Sequence, residues 1–328
     1  MELLRIVSML MVLAVHIDGA SLGLPQADGH LGALSGREWW QLIVESLAII
    51  GVNCFTLISG YFGIRLKWKS IGKYLFQCVF YAVGIYTVLS LGPNGHFSWK
   101  GWGESWMVLT HTDLWYVPAY FGLMLLAPFL NAGFEKMGRK FALQVTLLFV
   151  AFNLWAGWWW EAKFNPTGYT IVQLVMMYAI GRCVALYSDF FEKISRRSLK
   201  WIALGSYLVL SFLTVLYACW NVPKAYAYNS PMVVLSSVAL LLCFSAIRLR
   251  SDAVNYVAKS AFAVYLLHKA PMVWVGYMKP MVVGLWREYS LIEFTIAALF
   301  MMAVIYLFAM VVDAVRRLIS SLIFDRRS

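Results

Sequence analysis

Ten apolar stretches of near-equal length, divided only by short polar turns, constrain this chain more than any other feature. They run over residues 4–22, 39–62, 71–91, 113–131, 141–160, 169–187, 201–220, 232–247, 260–277 and 291–312. A helix needs roughly 20 apolar residues to cross a hydrocarbon core about 30 Å thick, so each stretch is a candidate span. Hydrophobic residues make up 62% of the 328 positions and charged ones 13%, with a mean hydropathy of +0.71. So much apolar surface must meet lipid or other helices. No turn is long enough to hold a soluble domain. The expectation is an all-α, polytopic transmembrane helical bundle of about ten spans, forming one domain over residues 1–328.

Lys and Arg gather in alternate turns. With the N-terminus in the cytoplasm, 20 of the 27 fall on the inner side, in turns such as RLKWKSIGK, EKMGRK and DFFEKISRRSLK. That bias is the positive-inside signature, and it places both termini in the cytoplasm. It also accounts for the net charge of +11 without nucleic acid. The opposite turns, LGLPQADGHLG, LGPNGHFSWKGWG, EAKFNPTG and NVPKAYAYNSP, are rich in Gly, Pro and Asn. The first stretch resembles a signal peptide but has no A-x-A-like cleavage site, so it is expected to be retained. The end of the chain, DAVRRLISSLIFDRR, either continues the last helix or lies along the inner surface.

Arg5 and His16 stand eleven residues apart in the apolar run RIVSMLMVLAVH. An eleven-residue step in an α-helix returns to within about 20° of its start and rises about 16 Å. The guanidinium thus lies at the membrane edge, with the imidazole above it near the bilayer centre. Ionisable groups at that depth are costly and are functional candidates by default.

Other polar residues mark a candidate internal cavity. Glu45 and Asn53 lie close to one face of the second stretch; small residues there, Gly51, Ser59 and Gly60, also fit tight helix packing, with Asn53 as an interhelical hydrogen-bonding group. His268 lies at a depth similar to His16, with Tyr265 one turn away and Lys269 next to it. A buried ammonium is expected to pair with a carboxylate or to lose its proton. A packing role for His268 remains open.

Most of the fifteen tryptophans fall at the outer side. An interfacial aromatic belt explains many of them. Trp102, Trp106 and Trp115, beside His111 and Asp113, also form a candidate platform for an acceptor, since sugar C–H faces stack on indole.

Neutral imidazole suits abstraction of a hydroxyl proton. No H-x-x-x-H or H-x-x-E pattern suggests a metal site, and the five cysteines include no C-x-x-C pair, so no metal or disulfide framework is expected. A nucleophile elbow and a P-loop are absent from the sequence, which leaves no bound cofactor implied.

The stretches ELLRIVSMLMVLAVH, with Arg-x10-His spacing, GVNCFTLISGYF, LWYVPAYFGLMLLAPFLN and AVYLLH resemble the acyltransferase-3 family of integral-membrane O-acyltransferases. The likeness covers nearly the whole chain. It implies a catalytic role for His16 and a part in acyl-donor binding for Arg5. Two features depart from the family. RLKWKSIGKYL offers Lys69 and Lys73 where relatives have Arg-x-x-Arg, and Lys269 rather than proline follows the late histidine. The fused esterase-like domain of some members is not seen, so transfer is expected to finish within the bundle.

The expected function is transfer of an acetyl or other short acyl group from cytoplasmic acetyl-CoA, a substrate rather than a cofactor, to a hydroxyl of a surface or lipid-linked glycan. His16 acts as general base, and Arg5, Lys69 and Lys73 meet the anionic donor. The expected setting is the bacterial inner membrane, with lipid as a further partner. The alternative is a transporter or flippase of an amphiphilic glycan or lipid, against which the lack of matched broken helices counts.

Overall fold

The computed structural model describes residues 1–25, 34–93, 95–220, 222 and 224–325. Arg326, Arg327 and much of the turn LGLPQADGHLG lie outside the described residues. Among the described residues the chain is helical, without strands. In order, the helices are α1 (Glu2–Ile17), α2 (Gly19–Leu22), α3 (Gly36–Ala48), α4 (Gly51–Phe62), α5 (Trp68–Ser90), α6 (Trp99–Ser105), α7 (Tyr116–Lys136) and α8 (Arg139–Phe152). Then follow α9 (Ile171–Leu186), α10 (Ser188–Glu192), α11 (Arg196–Cys219), α12 (Pro231–Ser245), α13 (Asp252–Ala258), α14 (Ala261–His268), α15 (Pro271–Val273), α16 (Lys279–Glu288) and α17 (Leu291–Phe324). One π-helical segment, Asn153–Trp159, extends α8, and another, Trp274–Met278, joins α15 to α16.

Local chemistry sets many of the boundaries. Ser35 and Glu38 form a reciprocal capping box at the start of α3, and Ser290 and Glu293 do the same for α17. Pro231 and Pro271 stand at first-turn positions, where a missing N–H is harmless. Gly63 ends α4 with φ +75°, a conformation that suits glycine.

Seven helical stretches among the described residues are long and apolar enough to cross a membrane: Glu2–Leu22, Gly36–Phe62, Trp68–Ser90, Tyr116–Lys136, Arg139–Trp159, Arg196–Cys219 and Leu291–Phe324. Two further expected spans are the shorter apolar helices Ile171–Leu186 and Pro231–Ser245. The stretch expected to be one span over residues 260–277 is instead broken. α14 stops at His268, and Pro271 opens a new turn, because proline cannot continue the hydrogen-bonding of the preceding one. The last helix runs on through Phe324, as one of the two expectations for DAVRRLISSLIFDRR had it. At about 1.5 Å per residue its 34 residues reach roughly 51 Å, well beyond a ~30 Å core.

The chain divides into two compact units, Met1–Arg65 with Gly122–Asn255, and Leu66–Phe121 with Tyr256–Ser328. In the first, α4 packs between α1 and α9. A Cβ on Gly60 would collide with the backbone of Tyr178, and one on Gly181 with that of Leu57. A Cβ on Gly51 would come within 2.6 Å of the Ser8 carbonyl oxygen on α1. Small residues let helix backbones approach this closely where lipid offers no hydrophobic drive for association. In the second unit, α5, α14 and α17 pack on one another.

Candidate functional site

α1 is unbroken from Glu2 to Ile17, so Arg5 and His16 share one face of it about 16 Å apart along the axis. The Arg5 guanidinium is 38% exposed and donates to both carboxylate oxygens of Glu2, at 2.7 and 2.9 Å. His16 is half-buried in the last turn, and its carbonyl accepts from the Ser21 hydroxyl at 2.7 Å. The helix breaks at Asp18 and resumes at Gly19.

Around that break lies a buried polar group that includes two acids. Asp18 is fully buried. Glu45, on α3 and 4% exposed, packs its carboxyl against Gly19, where an added Cβ would lie 3.0–3.2 Å from it. Gln41, one turn before Glu45, donates its amide to the Gly23 carbonyl at 2.9 Å. Asp18 and Glu45 are close enough for their charges to interact.

Asn53 takes the interhelical role. Its amide donates to the Tyr228 carbonyl at 2.8 Å, and its oxygen accepts from Gln173 at 3.1 Å. Asn165 extends the network to Asn153 at 2.9 Å and Gln173 at 3.3 Å. Hydrogen bonds of this kind between helices favour one arrangement of the core.

The second unit holds His268, fully buried at the end of α14. Its Nδ1 lies 2.6 Å from the Val264 carbonyl, which can only accept, so Nδ1 carries the proton. Tyr265 stands edge-on to the imidazole at 6.2 Å. The Lys269 Nζ sits 3.8 Å from the centroid of the Trp274 ring, a cation–π contact. His16 lies in the first unit and His268 in the second.

A cavity of about 270 Å³ opens within the second unit. His111 and Asp113 line it, with Glu104 and Tyr86 nearby and Tyr81 on the α5 wall; Leu266 and Ala270, to either side of His268 in sequence, complete it. Trp102 and Trp106 meet edge-to-face at 5.5 Å, and Trp115 meets Tyr116 in the same way at 5.7 Å, but none of the three tryptophans is among the lining residues. Trp159, Trp160 and Trp220, assigned to the outer side, expose more than half their surface.

Lys69 and Lys73, on the first turns of α5, both grip Asp325 just past the end of α17, at 2.6 and 3.0 Å. The five cysteines are buried and free, and the described residues include no cluster of metal-ligating side chains.

A family model described as an acyltransferase domain, Acyl_transf_3, matches residues 1–312. The chain belongs to the acyltransferase-3 family. It is a multi-pass membrane acyltransferase of all-α build. Neither comparison with curated proteins nor comparison with solved structures gives a match.

Several polar groups of this acyltransferase escaped the sequence reading. Asp18 gave a faint signal, an acid two residues past His16 in an apolar run. Asp313 is fully buried in α17 and binds Arg316 Nε at 2.6 Å, Arg317 Nη1 at 3.3 Å and the Ser260 hydroxyl at 3.1 Å. In sequence these residues were read only as part of a segment that continues the last helix or lies along the inner surface.

Proposed function

We propose that this acyltransferase moves an acetyl or other short acyl group from cytoplasmic acyl-CoA to a hydroxyl of a surface or lipid-linked glycan, with His16 as general base. The observation that carries the reading is the unbroken helix with a cation and an imidazole on one face. His16 takes the proton of the acceptor hydroxyl, and the oxygen attacks the thioester carbonyl carbon. The carbon–sulfur bond then breaks, and the imidazolium returns the proton to the departing thiolate. General-base assistance of this kind contributes about 10² to 10⁴-fold.

Arg5 meets a phosphate of the donor by exchanging Glu2 for it, since guanidinium binds both anions by the same fork of N–H groups. Lys69 and Lys73 already hold a carboxylate, which supports an anion site there. The cavity lined by His111 and Asp113 supports an acceptor entrance, with the nearby tryptophans as stacking surfaces. The Lys and Arg bias supports cytoplasmic termini in a bacterial inner membrane.

The test is product analysis with the full chain in lipid nanodiscs, labelled acetyl-CoA and envelope glycan. Added acetyl mass on the glycan together with released CoA is expected. Glycan that crosses a bilayer unmodified, with no CoA released, would mean a transporter.

A further inference from the structure

The end of α9, the short helix α10, the start of α11 and the end of α12 border a cavity that acyl transfer leaves unused. It measures about 380 Å³ and lies wholly within the first unit. A water takes ~30 Å³ in the liquid, so the space is large enough for a sizeable polar group.

Two cations line it. Arg196 is the first residue of α11, and Arg248 stands three residues past the end of α12. Both belong to turns, DFFEKISRRSLK and RLRSDAVNYVAK, on the side that the Lys and Arg bias assigns to the cytoplasm. Among the described residues neither arginine forms an ion pair, whereas Arg139 is bound to Asp189 on α10. Glu192 is the one acid among the described lining residues, and it is exposed. Ser188 adds a hydroxyl, while Leu199 and Leu242 supply apolar wall. Two guanidiniums and a hydroxyl against a single acid favour an anion with several acceptor oxygens.

Next to these lining residues in sequence stand large apolar side chains with nothing over them. Phe190 on α10 is 57% exposed, and Trp201 and Ile202 on α11 are 56% and 62% exposed. Lys200 lies 4.5 Å over the Trp201 ring, and a basic and an aromatic residue together at a helix end suit the membrane interface. A free phosphate would gain nothing from this apolar border. An acyl chain would.

We propose that the cavity seats the headgroup of an anionic phospholipid, with its phosphate on Arg196 and Arg248 and its acyl chains along the apolar border of α11. Basic pockets between helices at the cytoplasmic face suit such headgroups. The lipid supplies the counter-charge that Arg196 and Arg248 lack and ties α10 to the ends of α11 and α12. This seat does not depend on the acyl-transfer reading. The phosphates of coenzyme A share its chemistry, so the test has an arm for each.

The test is titration of the detergent-purified full chain with phosphatidylglycerol, phosphatidylcholine and coenzyme A, read by native mass spectrometry as the fraction of protein carrying one ligand. Phosphatidylglycerol is expected to bind more tightly than phosphatidylcholine. Arg196→Gln and Arg248→Gln are each expected to weaken phosphatidylglycerol binding about fivefold, and the double variant about 25-fold. Arg197 is the next cation along but does not line the cavity, so Arg197→Gln is expected to stay close to wild type. All three arginines are exposed, so a failure to fold does not blur the comparison. A loss in Arg197→Gln equal to that in Arg196→Gln means diffuse attraction to a basic surface and overturns the seat. Equal binding of the two lipids, or of phosphatidylglycerol by wild type and the double variant, overturns it as well. If the double variant loses coenzyme A and keeps phosphatidylglycerol, the anion is a coenzyme phosphate and the lipid assignment falls.

Discussion

The imidazole Nδ1 of His268 lies 2.6 Å from the carbonyl oxygen of Val264, one helical turn earlier. This bond fixes the tautomer and ties the ring to its own helix just before the chain breaks at Lys269. An asparagine amide can donate from nearly the same place as Nδ1. His268→Asn is therefore expected to keep the thermal midpoint close to wild type and to lower acyl transfer less than tenfold. His268→Leu removes the bond and is expected to cost about 0.5–1.5 kcal/mol. A loss of activity in His268→Asn as deep as that in His16→Ala would give the second histidine a chemical role.

The crossing of α4 and α9 gives a prediction about stability alone. Gly60→Ala forces a methyl into the Tyr178 backbone, and overpacking of this kind costs about 1–3 kcal/mol. Gly205, on α11, has nothing within 4 Å of where a Cβ would stand. Gly205→Ala is expected to be neutral or to stabilise by up to about 1 kcal/mol through helix propensity. Unfolding in mixed detergent micelles reads both, and equal midpoints for the two variants would contradict the close crossing.

Asp313 faces two guanidiniums from a fully buried position. Removing one partner of a buried ion cluster strands the others, so Asp313→Ala is expected to destabilise by about 3–5 kcal/mol. Asp313→Asn keeps the acceptor oxygen and is expected to cost less. The ranking, read from thermal midpoints, is the measurement that matters here.

Hydrogen bonds from Lys69 and Lys73 hold the Asp325 carboxyl below the ordinary range, which is about 3.9 for aspartate. A depressed carboxylate pKa contributes stability that is fully present above the unfolded value and is lost as pH falls through the folded one. Docking of the α17 end on α5 is therefore expected to be constant from pH 5 to 8 and to weaken below about pH 4. Hydrogen exchange of residues near Phe324 checks this. Asp325→Asn should remove the acid-dependent part.

The spans were legible because each is a local property, an apolar run long enough to cross, and α1 carries Arg5 and His16 on one face as their spacing requires. His111 and Asp113 could be found together because they sit two residues apart in one polar turn. Asp313 could not. Its partner Ser260 is 53 positions away, and sequence spacing does not show that contact. Asn53 was ambiguous for a related reason. Its choice between lining a cavity and bonding to Tyr228 and Gln173 depends on contacts more than 100 residues distant. The break after His268 was announced by Pro271, but the apolar character of residues 260–277 outweighed it.

The most direct measurement is the initial rate of CoA release from acetyl-CoA in the presence of acceptor glycan, by wild type and His16→Ala in nanodiscs at matched amounts of folded protein. General-base action by His16 predicts a fall of about 10² to 10⁴-fold with donor binding retained. A His16→Ala protein that releases CoA at the wild-type rate would contradict it.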